Sequence, residues 1–326
     1  NNIYDPSLAK LGDSLTLSFV SDEALMIPTG ELAGRLGLNA VDNSSATDWY
    51  FTTEVLLSTP EDNVSFRFDI SDLAGNVVTG FNSTLNNSSV RVDKTPPLVS
   101  GITLVSTNDN GSWAKAGDNL TLQFSTSETV STPSILIAAN SRFADNRSLD
   151  GKQWETIYEV LPGDNGTVNW DFTVRDLAGN VSDNVTQDNA SLITMDTSAP
   201  VISGVTFVSN NFKNTNYAKA GDDLIVSFKT NEALKDTSVI LNNPDNQSLS
   251  PTFTGYTNGG DLDWEAVFRV DSDTLKWTIN SSTFFVGYEI SATDYAGNVA
   301  IDDLGVIEPF RPVSYTHLTL PTSQLV

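Results

Sequence analysis

The chain has 326 residues, no cysteine and one histidine, and its 41 acidic against 17 basic residues give a formal charge of −24. Without cysteine there are no disulfides, thiolate metal sites or thiol nucleophiles, and a polyanion of this kind repels phosphate backbones and anionic membrane surfaces, which excludes nucleic acid as a partner. A hydrophobic fraction of 39% belongs to a folded protein, the length suggests two or three domains, and no apolar run is long enough to cross a bilayer.

From the N-terminus, Ala9-Lys10-Leu11-Gly12-Asp13 reads as a tight turn into a strand whose Leu15, Leu17 and Phe19 alternate with polar residues. Period two with one apolar face is a half-buried strand. Glu23 follows, then Trp49, then a second alternating run of Val64, Phe66, Phe68 and Ile70. That run ends in Asp72-Leu73-Ala74-Gly75-Asn76, read as an F–G hairpin turn in which Asp closes an Asx turn and Gly and Asn tolerate positive φ. Asp93-Lys94-Thr95-Pro96-Pro97 then forms a short, proline-stiffened joint.

The same order returns roughly one hundred residues later. Ala114-Lys115-Ala116-Gly117-Asp118 opens a strand with Leu120, Leu122 and Phe124; Glu128 and Trp154 follow; Val168, Trp170, Phe172 and Val174 lead into Asp176–Asn180; and the joint is Asp196-Thr197-Ser198-Ala199-Pro200. A third copy runs through Ala218–Asp222, Leu224, Val226, Phe228, Glu232, Trp264 and Val286–Ala292 to Asp294-Tyr295-Ala296-Gly297-Asn298, with an insertion around Asn242 to Asp261. A period near one hundred is too long for a solenoid and suits autonomous domains in a row. The boundaries read as 1–96, 97–199 and 200–312. Many short strands with regular turn signals, and no segment with a helical period, give an all-β fold: tandem immunoglobulin-like β-sandwich domains. In the second copy the strand after the Gly-Asp turn is assigned as B, Ser134–Ala139 as C, the Trp154 segment as E and Val168–Arg175 as F.

Both ends depart from the pattern. Aligning Ala9 with Ala218 places Asn1-Asn2 on Asn210-Asn211, so the first strand of the third copy, Val205–Ser209, has no counterpart in the first. An apolar edge of the first repeat is expected to be bare, with further repeats and a signal peptide expected upstream. Residues 313–326 match no repeat and read as a translated sequencing adapter; His317, the one histidine, lies there.

With the Ala-Lys-x-Gly-Asp turn, the Asp-x-Ala-Gly-Asn turn and the Asp-x-(Thr/Ser)-x-Pro joint in place, the chain resembles the bacterial immunoglobulin-like tandem repeats of surface adhesins and large secreted proteins, over residues 1 to about 310. The resemblance implies an extracellular or cell-surface setting, a role in adhesion, and joints that are often stiffened by calcium. The chain departs from antibody domains in lacking the inter-sheet cysteine pair, so its cores stand on apolar packing alone.

Placing the turns on such a sandwich yields candidate sites. The B–C and F–G loops gather at the end where the chain enters. Asp93, Glu128 and Asp176 should therefore meet at one joint, and Asp196, Glu232 and Asp294 at the next. Converging carboxylates with no nearby base suit Ca²⁺. Asn180 and Asn298 offer carbonyl oxygens, and Asp13 and Asp62 of the preceding repeat face the first joint. The competing reading is a set of solvated acidic turns. Trp49, Trp154 and Trp264 read as core or edge packing and Trp170 as core, while Trp113 and Trp277 are candidates for an exposed contact.

Scarcity of histidine and absence of cysteine remove most nucleophilic and acid–base machinery, and catalytic constellations are seldom triplicated. The expected function is a non-catalytic extracellular spacer or adhesin segment, reaching on the order of 100 Å if its strands of about eight residues are stacked end to end. Its partners would be neighbouring repeats and a glycan or surface protein. Two alternatives stand beside it: a binding module acting through the third repeat, and accessory domains of a secreted hydrolase.

Overall fold

The computed structural model describes residues 2–43, 45–187, 192–219, 221–242, 248–251, 253–256, 262–270, 284–285, 287–304 and 309–312. Most of the insertion between Asn242 and Asp261, Trp277 and the tail with His317 lie outside the described residues. Every regular element described is a strand.

The first repeat contains β1 (Leu8–Ala9), β2 (Ser14–Val20), β3 (Thr29–Leu32), β4 (Arg35–Asn39), β5 (Val41–Asp42), β6 (Asp48–Glu54), β7 (Phe66–Ser71), β8 (Val77–Phe81) and β9 (Arg91–Val92). The second contains β10 (Val99–Ser106), β11 (Trp113–Ala114), β12 (Asn119–Thr126), β13 (Ser134–Ile137), β14 (Asn140–Phe143), β15 (Asp145–Asn146), β16 (Gln153–Glu159), β17 (Gly166–Thr167), β18 (Trp170–Thr173), β19 (Val185–Thr186) and β20 (Thr194–Met195). The third contains β21 (Ile202–Ser209), β22 (Tyr217–Ala218), β23 (Asp223–Thr230), β24 (Asp236–Asn242), β25 (Ser248–Leu249), β26 (Phe253–Tyr256), β27 (Asp263–Arg269), β28 (Phe284–Phe285), β29 (Gly287–Thr293), β30 (Val299–Leu304) and β31 (Pro309–Pro312).

Contacts gather the chain into two compact units: residues 1–105 with 120–158 and 168–191, and residues 106–119 with 159–167 and 192–326. The first unit carries sheets ordered β2-β6-β5 and β4-β3-β7-β8, the parallel pair β1-β9, and the sheets β10-β12-β16-β15 and β14-β13-β18-β19. The second carries β11-β20-β17, β21-β23-β27-β26, β25-β24-β29-β30 and β22-β31-β28. B therefore pairs with E (β12 and β16) and C with F (β13 and β18), the two-sheet arrangement of an immunoglobulin-like sandwich.

The alternating residues meet between the sheets. In the first repeat Leu15 and Phe51 of one sheet pack with Leu32 and Phe68 of the other. In the second, Phe124 and Phe172 bring their rings within 4.5 Å across the same gap. The third closes Leu224, Val226, Phe228 and Phe268 against Val239, Leu241 and Ile290. Burying such side chains is the main stabilising contribution, about 1.5–3 kcal/mol each.

Both repeated turns form with the same internal bonds in each copy, and the Asp-x-Ala-Gly-Asn turn closes an antiparallel hairpin. Lys10 N donates to Asp13 Oδ2 (2.9 Å), and the second and third copies repeat the bond from Lys115 and Lys219. Asp72 N donates to Asn76 O (3.0 Å), as Asp176 and Asp294 do to Asn180 and Asn298. In the latter turn Gly75 takes the positive φ (92°) while Asn76 does not, so the asparagine acts through its side chain. The assigned C strand ends at Ile137, earlier than the expected Ala139. Ala138 and Ala139 both take positive φ (47° and 61°) and form a two-residue hairpin to β14, the φ pattern of a type I′ turn.

Candidate functional site

Each predicted carboxylate reaches its place by a local device. Strand β12 ends at Thr126, whose hydroxyl donates to Glu128 O (2.7 Å) and fixes the turn that presents Glu128. Asp176 opens the F–G turn and is almost wholly buried. Its Oδ1 accepts the backbone N–H groups of Gly179 (2.6 Å) and Asn180 (2.8 Å), and its Oδ2 accepts Asn180 Nδ2 (2.8 Å). Asp93 comes from the joint, where its N–H donates to Ala9 O (2.9 Å) and its carbonyl accepts Asn180 Nδ2 (2.9 Å). One carboxylate oxygen from each of Asp93, Glu128 and Asp176 then lies within 4.8 Å of the others.

The second unit builds the same cluster from Asp196, Glu232 and Asp294, again with one carboxylate oxygen of each within 4.8 Å of the others. Thr230 donates to Glu232 O (2.8 Å), Asp196 N donates to Ala114 O (2.8 Å), and Asn298 Nδ2 bridges Asp196 O (2.9 Å) and Asp294 Oδ2 (2.8 Å). The structure thus brings together all six predicted residues, in the two sets that the sequence separates.

Crowded acids disfavour their own ionisation. Burial pushes the Asp93 carboxyl up, the Thr95 N–H opposes it, Asp176 and Glu61 push further, and Arg91 pulls back. Glu128 is raised by burial and then by Asp93 and Asp176, against Lys152 and Arg91. Glu232 is raised by burial, then by Asp196 and Asp294. A divalent cation would remove this repulsion at both places. Oxygens bonded to one Ca²⁺ at about 2.3–2.6 Å can be up to roughly 5 Å apart, which the clusters satisfy.

Other predicted contributors behave differently. Asp13 is held in its own turn by an ion pair with Lys10 (2.8 Å), and Asp62 accepts the N–H of Asn63; neither belongs to a cluster. Asn180 and Asn298 face the carboxylates with their amide NH₂ groups, as donors that brace them, and not with the expected carbonyl oxygens. Sequence reasoning missed Glu61, next to the expected Asp62. Its carboxylate accepts Lys94 N (2.7 Å) and Thr95 Oγ1 (2.9 Å), gripping the joint beside Asp93. Arg91 and Lys152 were also missed, and no repeated motif marks them.

Trp49, Trp154, Trp170 and Trp264 are core residues. Trp113 is half-buried, its ring 6.3 Å from that of Tyr295 in the third copy's F–G turn.

No family model and no curated protein matches the chain. Among solved structures it is similar to that of a 1.5-MDa bacterial ice-binding adhesin studied for its retention at the host cell surface, at 19% identity over 91% of each chain with a TM-score of 0.42. It is also similar to dimeric latent PorU of Porphyromonas gingivalis (10% identity, 94% of this chain and 32% of that one, TM-score 0.23) and to bovine butyrophilin (9%, 66% and 100%, TM-score 0.25).

Proposed function

We propose that this segment is a non-catalytic structural array, a spacer or adhesin segment of an exported bacterial surface protein, whose joints are stiffened by Ca²⁺. The domains would be 1–96, 97–199 and 200–312, with neighbouring repeats as the primary partners. The observation that carries this reading is recurrence. The same three carboxylates, braced by the same asparagine and threonine bonds, assemble at both joints. A catalytic site has no reason to recur in this way, whereas a device that sets each joint does. The described residues contain no helix long and apolar enough to cross a membrane.

Thermal unfolding with excess EDTA and then with millimolar calcium tests the metal. A ligand at one hundred times its Kd adds about 2.7 kcal/mol per site, so the midpoint should rise by several degrees. Asp196→Ala should remove the second site and leave the first. Equilibrium dialysis should find one ion for each cluster. No midpoint shift and no bound calcium would leave a metal-free spacer, and a compact globule by small-angle scattering in calcium would end the spacer reading as well.

A further inference from the structure

Each joint carries a second set of contacts in which no carboxylate takes part. In the second unit Asn108 Nδ2 donates to Ala296 O (2.8 Å) and Lys115 Nζ to Gly297 O (2.8 Å). Asn110 Nδ2 reaches Tyr295 O (3.5 Å), and the ring of Trp113 lies beside that of Tyr295. The donors come from the loop between β10 and β12 of the second repeat, and the acceptors are carbonyls of the third repeat's F–G turn.

The first unit repeats the arrangement. Asn2 Nδ2 donates to Leu177 O (3.0 Å) and Ala178 O (3.1 Å) of the second repeat's F–G turn. Asn2 and Asn108 stand at nearly the same place ahead of their Ala-Lys-x-Gly-Asp turns, and both reach the alanine carbonyl of the turn they meet. An aromatic ring is present here too. The Arg175 guanidinium lies 5.3 Å from the centre of the Tyr4 ring and donates to Gly179 O (3.0 Å), so it links the ring to the turn. The turn glycines are in contact as well. A Cβ on Gly179 would come within 3.4 Å of Tyr4 and Lys10, and one on Gly297 within 3.4 Å of Lys115 Nζ.

We infer that the loop ahead of strand B in one repeat is a socket for the Asp-x-Ala-Gly-Asn turn of the next, and that this socket seats the joint with no metal bound. The partner that fits is defined by chemistry on both sides. Amide and ammonium donors read backbone carbonyls, which is why the variable position can be Leu177 in one turn and Tyr295 in the other. The alanine and glycine of the motif keep those carbonyls open to approach. The F–G turn is thereby held twice: its aspartate joins the carboxylate cluster, and its carbonyls enter the socket. Contacts between domains of one chain are commonly small and mobile. A lysine ammonium on a carbonyl is a charge-assisted bond, stronger than a neutral one, and its cation sits beside a cluster whose acids repel one another. Calcium would act on a joint already in place, and the inference stands whether or not calcium binds.

The test uses the whole chain in EDTA. The chain has no cysteine, so Glu159→Cys and Ser238→Cys, at exposed strand positions in the second and third repeats, accept spin labels without background. The distribution of distances between the labels should be narrow in EDTA and keep its centre when calcium is added. Asn108→Ala with Lys115→Met should broaden it and speed hydrogen exchange at the Gly297 and Asn298 amides by about tenfold. Asn211→Ala with Lys219→Met is the matched control. Those side chains bond to Asp222 within their own turn, as Asn108 also bonds to Asp118. The control therefore makes a comparable loss inside a turn, away from the joint, and should leave both readouts unchanged. A distribution that is broad in EDTA and narrows only with calcium would overturn the proposal. So would one that the joint variant leaves unchanged, or that both variants broaden alike.

Discussion

Around the first carboxylate cluster Glu61 adds a fourth acid near Asp93, while Arg91 and Lys152 pull the other way. Around the second, the charges acting on Glu232 among the described residues are Asp196 and Asp294. The three carboxylates and their asparagine and threonine braces are the same, so the repeat preserves the cluster and lets its surroundings drift. The difference teaches which part is structural and which is electrostatic. The turn carboxylates, Asp176 and Asp294, are almost wholly buried and hydrogen-bonded whatever else is present. Glu128 and Glu232 sit half-buried, and their cost depends on which charges happen to be near.

The largest effect should come from the buried pair. Asp176→Ala and Asp294→Ala each leave donors of the F–G turn without their acceptor, and each should cost about 3 kcal/mol in urea unfolding with EDTA present. Asp176 holds the N–H groups of both Gly179 and Asn180 as well as Asn180 Nδ2, whereas Asp294 holds Asn298 N and Nδ2. The first substitution should therefore be the costlier, by about 1 kcal/mol. Equal costs that vanish in EDTA would show that the metal, and not the turn, gives these residues their value.

A smaller contrast lies in the lysines of the Ala-Lys-x-Gly-Asp turns. Lys115 Nζ donates to Gly297 O (2.8 Å) in the F–G turn beside the second cluster, but Lys10 Nζ pairs with Asp13 (2.8 Å) in its own turn. Lys115→Met should cost about 1 kcal/mol. Lys10→Met removes a part-exposed ion pair and should cost about 0.3 kcal/mol. Similar losses for both would mean that the F–G turn gains nothing from the lysine that reaches it.

The apolar alternation of Leu15, Leu17 and Phe19 and its repeats made the strands and their inward faces readable, because a period of two leaves a strand only one way to bury them. The clusters were readable because Glu128 and Asp176 flank loops whose shared end follows from strand order. What could not be read were contacts between residues distant in sequence and outside the repeated motifs. Glu61 falls on Asn165 when Val64 is matched to Val168, and Asn165 Oδ1 accepts Thr197 N (3.0 Å) as Glu61 accepts Lys94 N, so the grip recurs with a different residue type that no motif marks. The Ala138-Ala139 turn escaped because alanine gives no turn signal. The residues take positive φ because the pairing of β13 with β14 over-determines their backbone.

The last effect has the same sign at the two clusters and differs between them in size. Glu128 and Glu232 have carboxyls raised above their usual range, so the folded state holds their protons more tightly than the unfolded state does. The stability from this source is complete below the ordinary glutamate range and falls as pH rises through the raised values. At neutral pH without metal the ionised groups therefore oppose folding. Glu232→Gln should stabilise the protein by about 0.5 kcal/mol in EDTA at pH 7 and should flatten that part of the stability–pH curve. Glu128→Gln should gain less, because Lys152 and Arg91 already offset part of its repulsion. In calcium both signs should reverse, since only the ionised carboxylate binds the cation. Differential unfolding of the two variants across pH 4–8, with and without calcium, reads all four signs. A Glu232→Gln variant that is destabilised in EDTA would mean that its carboxylate makes a favourable contact that outweighs Asp196 and Asp294.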